Sequence, residues 1–329
     1  MTALLFSLLA LSVSAEPRWP TTGDPARLFY LQSIDMSQSA KRPTGFLRSA
    51  IDTLIGLTGR QNTTKTLLHP TGIFVDAGTL YVADPGAGGV MRYRMDDKTM
   101  TWIPKGDKKL PSPVAVAVAA GKVFVADSAL AKVLIYDQAG KPLGELALGP
   151  QGFMRPAGLA ASAERVYVAD PASHRIDIFG TDGIFLHSFG KRGKNPGELN
   201  FPTYIWFERS TAELWVTDSG NFRIQRFDKD GNFLSVIGQE GNRPGFIARA
   251  RGIATDSDGH IFSVDAAFDA LQVFTRTGDL LLLAGAAGAG PGEFNLPSGI
   301  FIDTDDKVYV ADTYNARIQV LQYVKEASQ

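Results

Sequence analysis

The sequence predicts an all-β fold, a six-bladed β-propeller of four-stranded antiparallel blades, and three observations carry that expectation. A short run of aromatic, β-branched and small residues closing on aspartate occurs six times, as in Tyr81-Val82-Ala83-Asp84 and Tyr309-Val310-Ala311-Asp312. The closing aspartates Asp84, Asp127, Asp170, Asp218, Asp265 and Asp312 lie 43 to 48 residues apart, a period that marks propellers and solenoids. Finally, the last copy supplies only three strands before the chain ends, while residues 27–35 form a lone strand-like segment similar to the fourth strand of other copies. An N-terminal strand paired into the last blade would close the ring and leave no open edge between first and last blades.

Residues 1–15 read as a signal peptide. A short apolar stretch, too short to span a bilayer, precedes Val13-Ser14-Ala15, with small residues where a signal peptidase cuts. The mature chain is therefore expected in the periplasm or outside the cell, and no later segment is apolar enough to span a membrane. Residues 16–26, rich in Pro, Thr and Gly, read as a linker, and 27–35 as the closing strand. Residues 44–58 break the β pattern, because Phe46, Leu47, Ala50, Ile51, Leu54 and Ile55 recur at helical spacing and predict one inserted amphipathic helix. The repeats fill residues 66–324, and 325–329 form a tail.

Each repeat has one internal order. A Pro-x-Gly or related entry, as in Pro70-Thr71-Gly72 and Pro297-Ser298-Gly299, leads into a first strand and suits backbones crowded around an axis. The second strand ends on the repeated aspartate, a third follows a loop, and an Asp-Gly or related hairpin turn brings in the fourth. Residues 193–200 and 288–295 are near copies of one longer connection that carries Pro-Gly-Glu.

The run Pro-x-Gly-Ile, Tyr-Val-Ala-Asp, Asn-x-Arg-Ile-Gln and Gly-Pro-Gly-Glu-Phe resembles the NHL repeat, most fully over residues 291–320 and in outline over 66–324. The resemblance implies a six-bladed NHL propeller. It includes peptidyl-hydroxyglycine α-amidating lyase, a relative that holds zinc with histidines from different blades, and propellers that bind RNA on a basic face. One fold hosts many activities, so function has to be argued from the site.

Composition excludes several chemistries. With no cysteine, thiolate metal sites, disulfides and cysteine nucleophiles are absent, and a net charge of −1 gives no global pull toward nucleic acid. His69, His174, His187 and His260 fall at different phases of the repeat, so three of them are not expected to converge on zinc. No Gly-x-Ser-x-Gly elbow occurs. The basic clusters at residues 105–109 and 191–194 make no stripe interleaved with aromatics, so no nucleic acid partner is expected. The six aspartates read as structural, each capping backbone amides at a strand end, with Lys132, Arg175, Arg223 and Arg317 five residues behind four of them. No metal and no cofactor are expected.

The channel mouth, where loops enter the first strands, is the expected site. Candidate ligand-binding residues there are His69, Arg155, Tyr204, Arg249 and Arg251. Tyr204 and Arg251 stand out because they break the repeat's own preference for glycine or small residues, and internal rule-breaking points to function. The leading expectation is an exported, non-catalytic binding or scaffold module for a protein, peptide or glycan, with no catalytic residue assigned. The alternative is an extracytoplasmic propeller lyase or hydrolase using the same mouth.

Overall fold

The structure, a computed structural model, describes residues 16–21, 27–35 and 66–325. The expected signal peptide, the second part of the linker (22–26), the helix at 44–58 and most of the tail lie outside the described residues. Two short strands, β1 (Arg18–Trp19) and β2 (Leu28–Ile34), come first. Blade 1 contains β3 (Ile73–Asp76), β4 (Thr79–Asp84), β5 (Gly89–Arg94) and β6 (Met100–Ile103). Blade 2 contains β7 (Pro113–Ala119), β8 (Lys122–Asp127), β9 (Lys132–Asp137) and β10 (Pro142–Glu145). Blade 3 contains β11 (Gly158–Ala161), β12 (Arg165–Asp170), β13 (Arg175–Gly180) and β14 (Phe185–Phe189). Blade 4 contains β15 (Pro202–Glu208), β16 (Glu213–Asp218), β17 (Arg223–Asp228) and β18 (Phe233–Ile237). Blade 5 contains β19 (Ala250–Thr255), β20 (Ile261–Asp265), β21 (Ala270–Phe274) and β22 (Leu280–Ala284). Blade 6 takes β23 (Ile300–Ile302), β24 (Lys307–Asp312) and β25 (Arg317–Tyr323) from the C-terminal end.

All pairings within these sheets are antiparallel, in the order of the chain. In blade 6, β2 pairs with β25, Leu28 standing opposite Tyr323 and Ile34 opposite Ile318. Beyond it, β1 pairs with β2, so this sheet has five strands. Inner strands pack against one another around the ring, and β23 meets β3 at the seam between the last and first blades. There the Thr313 hydroxyl donates to the Pro70 carbonyl at 2.8 Å, and the Phe74 and Phe301 rings lie 5.0 Å apart.

The core lies between blades. The aromatic position of the repeated motif, held by Tyr81, Phe124, Tyr167, Trp215, Phe262 and Tyr309, is buried in all six copies. Burying such a ring contributes roughly 1.5–3 kcal/mol, and the polar-tipped members also keep a hydrogen bond. Trp215 donates to Glu208 at 2.9 Å, and Tyr309 to Asp303 at 3.0 Å. Near the axis the backbones approach so closely that a side chain has no room at Gly72 or Gly252, although Ala115 and Tyr204 hold the equivalent position in blades 2 and 4. A Cβ on Gly72 would stand 2.7 Å from the Ala115 Cα, and one on Gly252 2.5 Å from the Ser298 carbonyl oxygen. The entry glycine thus meets a local packing requirement in the blades that carry it.

Candidate functional site

Two faces follow from the topology. The entry face carries the loops that lead into the inner strands and the loops between second and third strands. The exit face carries the turns between first and second strands.

On the entry face the repeat aspartates act as clamps. All six are fully buried, and each accepts a backbone N–H from the loop that enters its own blade. Asp84 takes the amides of Leu68 and His69 at 2.7 and 3.0 Å. Asp170 takes those of Met154 and Arg155 at 2.7 and 2.9 Å, and Asp265 those of Ala248 and Arg249, both at 3.0 Å. Asp127 holds Ser112 at 3.1 Å. Asp218 holds Asn200 at 2.6 Å, and Asp312 holds Asn295 at 2.8 Å.

In blades 4 and 6 the clamp extends to the long loops. Arg223 donates from Nε to Asp218 at 2.8 Å and also bonds the carbonyls of Lys194, Asn195 and Glu198. Gln225 adds Nε2 to Asp218 at 2.9 Å and accepts the Gly197 amide at 3.0 Å. Arg317 and Gln319 repeat this geometry on Asp312. The Arg-x-Gln and Pro-Gly-Glu segments of the sequence are therefore two sides of one contact.

Arg175 behaves differently. Its Nε bonds Asp177 at 2.8 Å rather than Asp170, because blade 3 has aspartate where blades 4 and 6 have Gln225 and Gln319. Lys132 turns to Glu145 at 2.8 Å.

The clamped loops present His69, Arg155 and Arg249 outward from fixed backbones, and all three are exposed. Arg251 is exposed beside Arg249. Crowding by protein, and secondly the Arg249 charge, pull its pKa below the usual guanidinium range. Among the described residues, Arg155, Arg249 and Arg251 form no ion pair. Large apolar side chains share this face: Leu68 is 48 % exposed, Met154 64 %, Phe201 48 % and Tyr314 62 %. Tyr314 lies against the His69 ring, 5.8 Å between centroids. Phe201 lies 4.6 Å from His174, whose Nδ1 accepts the Phe201 amide at 3.1 Å. That bond requires an unprotonated Nδ1, consistent with burial and then Arg192 lowering the His174 pKa.

Tyr204 departs from the expected rim position. It occupies the motif-glycine position of blade 4, and its side chain reaches past blade 5 to blade 6. There the hydroxyl donates to the Ile300 carbonyl at 2.8 Å. Burial raises its pKa despite that hydrogen bond. Tyr204 thus lies inside the channel, where it lines a cavity of about 750 Å³ that runs to the exit-face turns. Sequence reasoning flagged the residue but could not tell a rim from a crossing, since the direction of an inner-strand side chain depends on the bulge between Pro202 and Tyr204. The exposed Met154 and Tyr314 were missed, because neither breaks the repeat pattern.

The remaining histidines are dispersed. His187 Nε2 lies 3.0 Å from the Asp230 carbonyl at the outer rim of blade 3. His260 sits on the exit face, its Nδ1 2.9 Å from Asp256. Among the described residues no three His, Asp or Glu side chains are grouped to share a metal ion.

His260 supports a pH prediction. The hydrogen bond to Asp256 raises its pKa, opposed by burial and aided by the Asp256 and Asp258 charges, with Arg27 opposing. A folded-state pKa above the unfolded value gives stability that is full below about pH 6.5 and lost as pH rises through the folded pKa. Relative to His260→Gln, the native chain should gain more melting temperature at about pH 5.5 than at about pH 9. An equal difference at both would exclude the charged pair as the cause.

With this geometry in view, the comparisons are informative about fold. Residues 294–321 match the NHL repeat model. The chain carries an NHL repeat. Its matched copy spans Asp312, Arg317 and Gln319, the residues that clamp the loop ahead of blade 6, so the repeat's signature residues there are largely the clamp itself. No curated protein matches the sequence.

Solved structures do match the NHL-repeat chain. One is a catalytically inactive virginiamycin B lyase from Staphylococcus aureus with quinupristin, at 17% identity and a TM-score of 0.56, over 80% of this chain and 97% of that one. Another is an auxiliary nutrient binding protein from Bacteroides thetaiotaomicron, at 13% identity and 0.59, over 79% and 70%. A third is Kuenenia stuttgartiensis hydrazine synthase, at 16% and 0.56, over 82% and 83%. At such identities the likeness concerns the fold. No helix among the described residues is long and apolar enough to cross a membrane.

Proposed function

We propose that this chain is an exported, non-catalytic NHL-repeat propeller that binds an acidic protein or peptide segment across its entry face, with β2 closing the ring. One observation carries the reading. Arg155, Arg249 and Arg251, without ion-pair partners among the described residues, share a face with the exposed Leu68, Met154, Phe201 and Tyr314. Arginines beside exposed aromatic and aliphatic side chains suit a partner with carboxylates next to apolar residues, and such groups are enriched at binding hot spots.

Two features support presentation rather than casual exposure. The loops that carry His69, Arg155 and Arg249 are fixed by buried carboxylates, which lowers the entropy lost on binding. Phe201 is held in the left-handed region, at φ 52°, while nearly half exposed. That conformation costs a non-glycine residue about 1 kcal/mol or more. Export rests on the signal-like residues 1–15. The solved structures of similar fold include both a lyase and nutrient-binding proteins. Of the residues proposed for an enzyme at this mouth, Tyr204 has its hydroxyl engaged by Ile300 inside the channel.

Random peptides of about twelve residues displayed on phage test the reading. Selection on the native chain should enrich sequences that pair Asp or Glu with apolar residues. Binding should fall about tenfold or more in the Arg155→Glu, Arg249→Glu, Arg251→Glu variant. Selected peptides without acidic enrichment, or equal binding to the charge-reversed chain, would refute it.

A further inference from the structure

The exit-face cavity is unlike the entry face in composition and is not used by the reading above. We infer that it is a binding site for a small organic cation, an amine or quaternary ammonium carrying an aromatic or apolar group.

None of the entry-loop arginines lines the cavity, and Tyr204 crosses the channel beneath it to bond the Ile300 carbonyl. The wall is a run of touching aromatic rings from three blades. Phe74 and Phe301 lie 5.0 Å apart, and Trp206 meets Phe301 edge-on at 5.1 Å. Trp206 is fixed by its indole N–H, which donates to the Thr255 hydroxyl at 2.9 Å, and it is the partly exposed ring of the three. Of the roughly 300–1,000 Å³ usual for ligand pockets, this cavity has about 750 Å³.

Charge is placed by strand periodicity. Residues two apart on a strand share a face. Asp76 therefore stands on the same side of β3 as Phe74, and Asp303 follows Phe301 in the same register at the end of β23. The two adjacent blades thus each set a carboxylate above one ring of the same touching pair. Asp303 accepts the Tyr309 hydroxyl and the amides of Asp305 and Lys307. Asp76 has no hydrogen-bond or ion-pair partner among the described residues and is half-buried. The other lining carboxylates already hold cations: Glu208 holds Arg276, Asp256 holds His260, and Asp305 holds Lys307. Arg209 is a lining cation without such a partner, but it belongs to blade 4, on the turn after Trp206 rather than above the Phe74–Phe301 pair. Aromatic faces and an unpaired carboxylate together attract alkylated ammonium groups, through the ring quadrupole and through charge.

Calorimetric titration of the full chain with benzyltrimethylammonium chloride tests this. One saturable site per chain is expected, with benzyl alcohol and benzoate each binding about tenfold more weakly. Asp76→Asn, which removes a charge and breaks no hydrogen bond of the fold, should weaken the cation about fivefold or more, and Trp206→Leu should weaken all three ligands. No heat of binding up to about 10 mM, benzoate binding as well as the cation, or an unchanged affinity in Asp76→Asn would each overturn the assignment.

Discussion

A chain that lacks residues 16–35 is expected to melt at least about 10 °C below the full chain, or to fail to accumulate as soluble protein. The loss has identifiable parts. Leu28 is fully buried in one core cluster with Trp19, Ile34 is buried at the other end of β2, and β2 supplies the antiparallel ladder along β25 from Tyr323 to Ile318. Truncating one buried leucine costs about 2–5 kcal/mol, and the deletion also exposes β25 as an unpaired edge. At roughly 2–4 °C per kcal/mol the sum exceeds 10 °C. A synthetic peptide of residues 16–35 added in trans should restore part of the difference, because the segment is held by pairing. A melting temperature unchanged by the deletion would show that the ring holds without this strand.

Asp218→Ala should cost about 3–5 kcal/mol, more than Asp127→Ala at about 1–3 kcal/mol. Asp218 accepts the Asn200 amide, the Asn221 side chain, Arg223 and Gln225, all at 2.6–2.9 Å. Removing it strands four buried or partly buried donors, one of them charged, and releases the loop that Arg223 and Gln225 hold. Asp127 accepts three backbone amides, those of Ser112, Ala129 and Leu130, and no cation. Urea denaturation of the two variants gives the comparison directly. Equal losses would mean that the side-chain lock adds nothing to the amide clamp.

Much of the architecture was legible because it is written six times. The motif aspartates hold their entry loops in the same way in all six blades, so one reading serves all copies, and the entry glycines have a packing reason in the blades that carry them. The local exceptions were harder. Arg175 turns from Asp170 to Asp177 because one residue two positions on differs from its counterparts. Tyr204 was visible as a departure from glycine, but a bulge and a partner 96 residues away decide that it crosses the channel. The exit-face cavity had no sequence signature at all. Phe74 meets Phe301 only because the first and last blades are neighbours.

The division between residues that build the ring and residues that recognise a partner can be measured on one pair of proteins. An acidic peptide selected on the native chain is titrated into that chain and into Arg249→Glu, Arg251→Glu, with melting temperatures recorded on the same samples. Both side chains are exposed and unpaired among the described residues, so the variant should melt within about 2 °C of the native chain while its affinity falls about tenfold or more. Retained affinity would contradict the entry face as the recognition surface. A large fall in melting temperature would contradict the separation of recognition from fold.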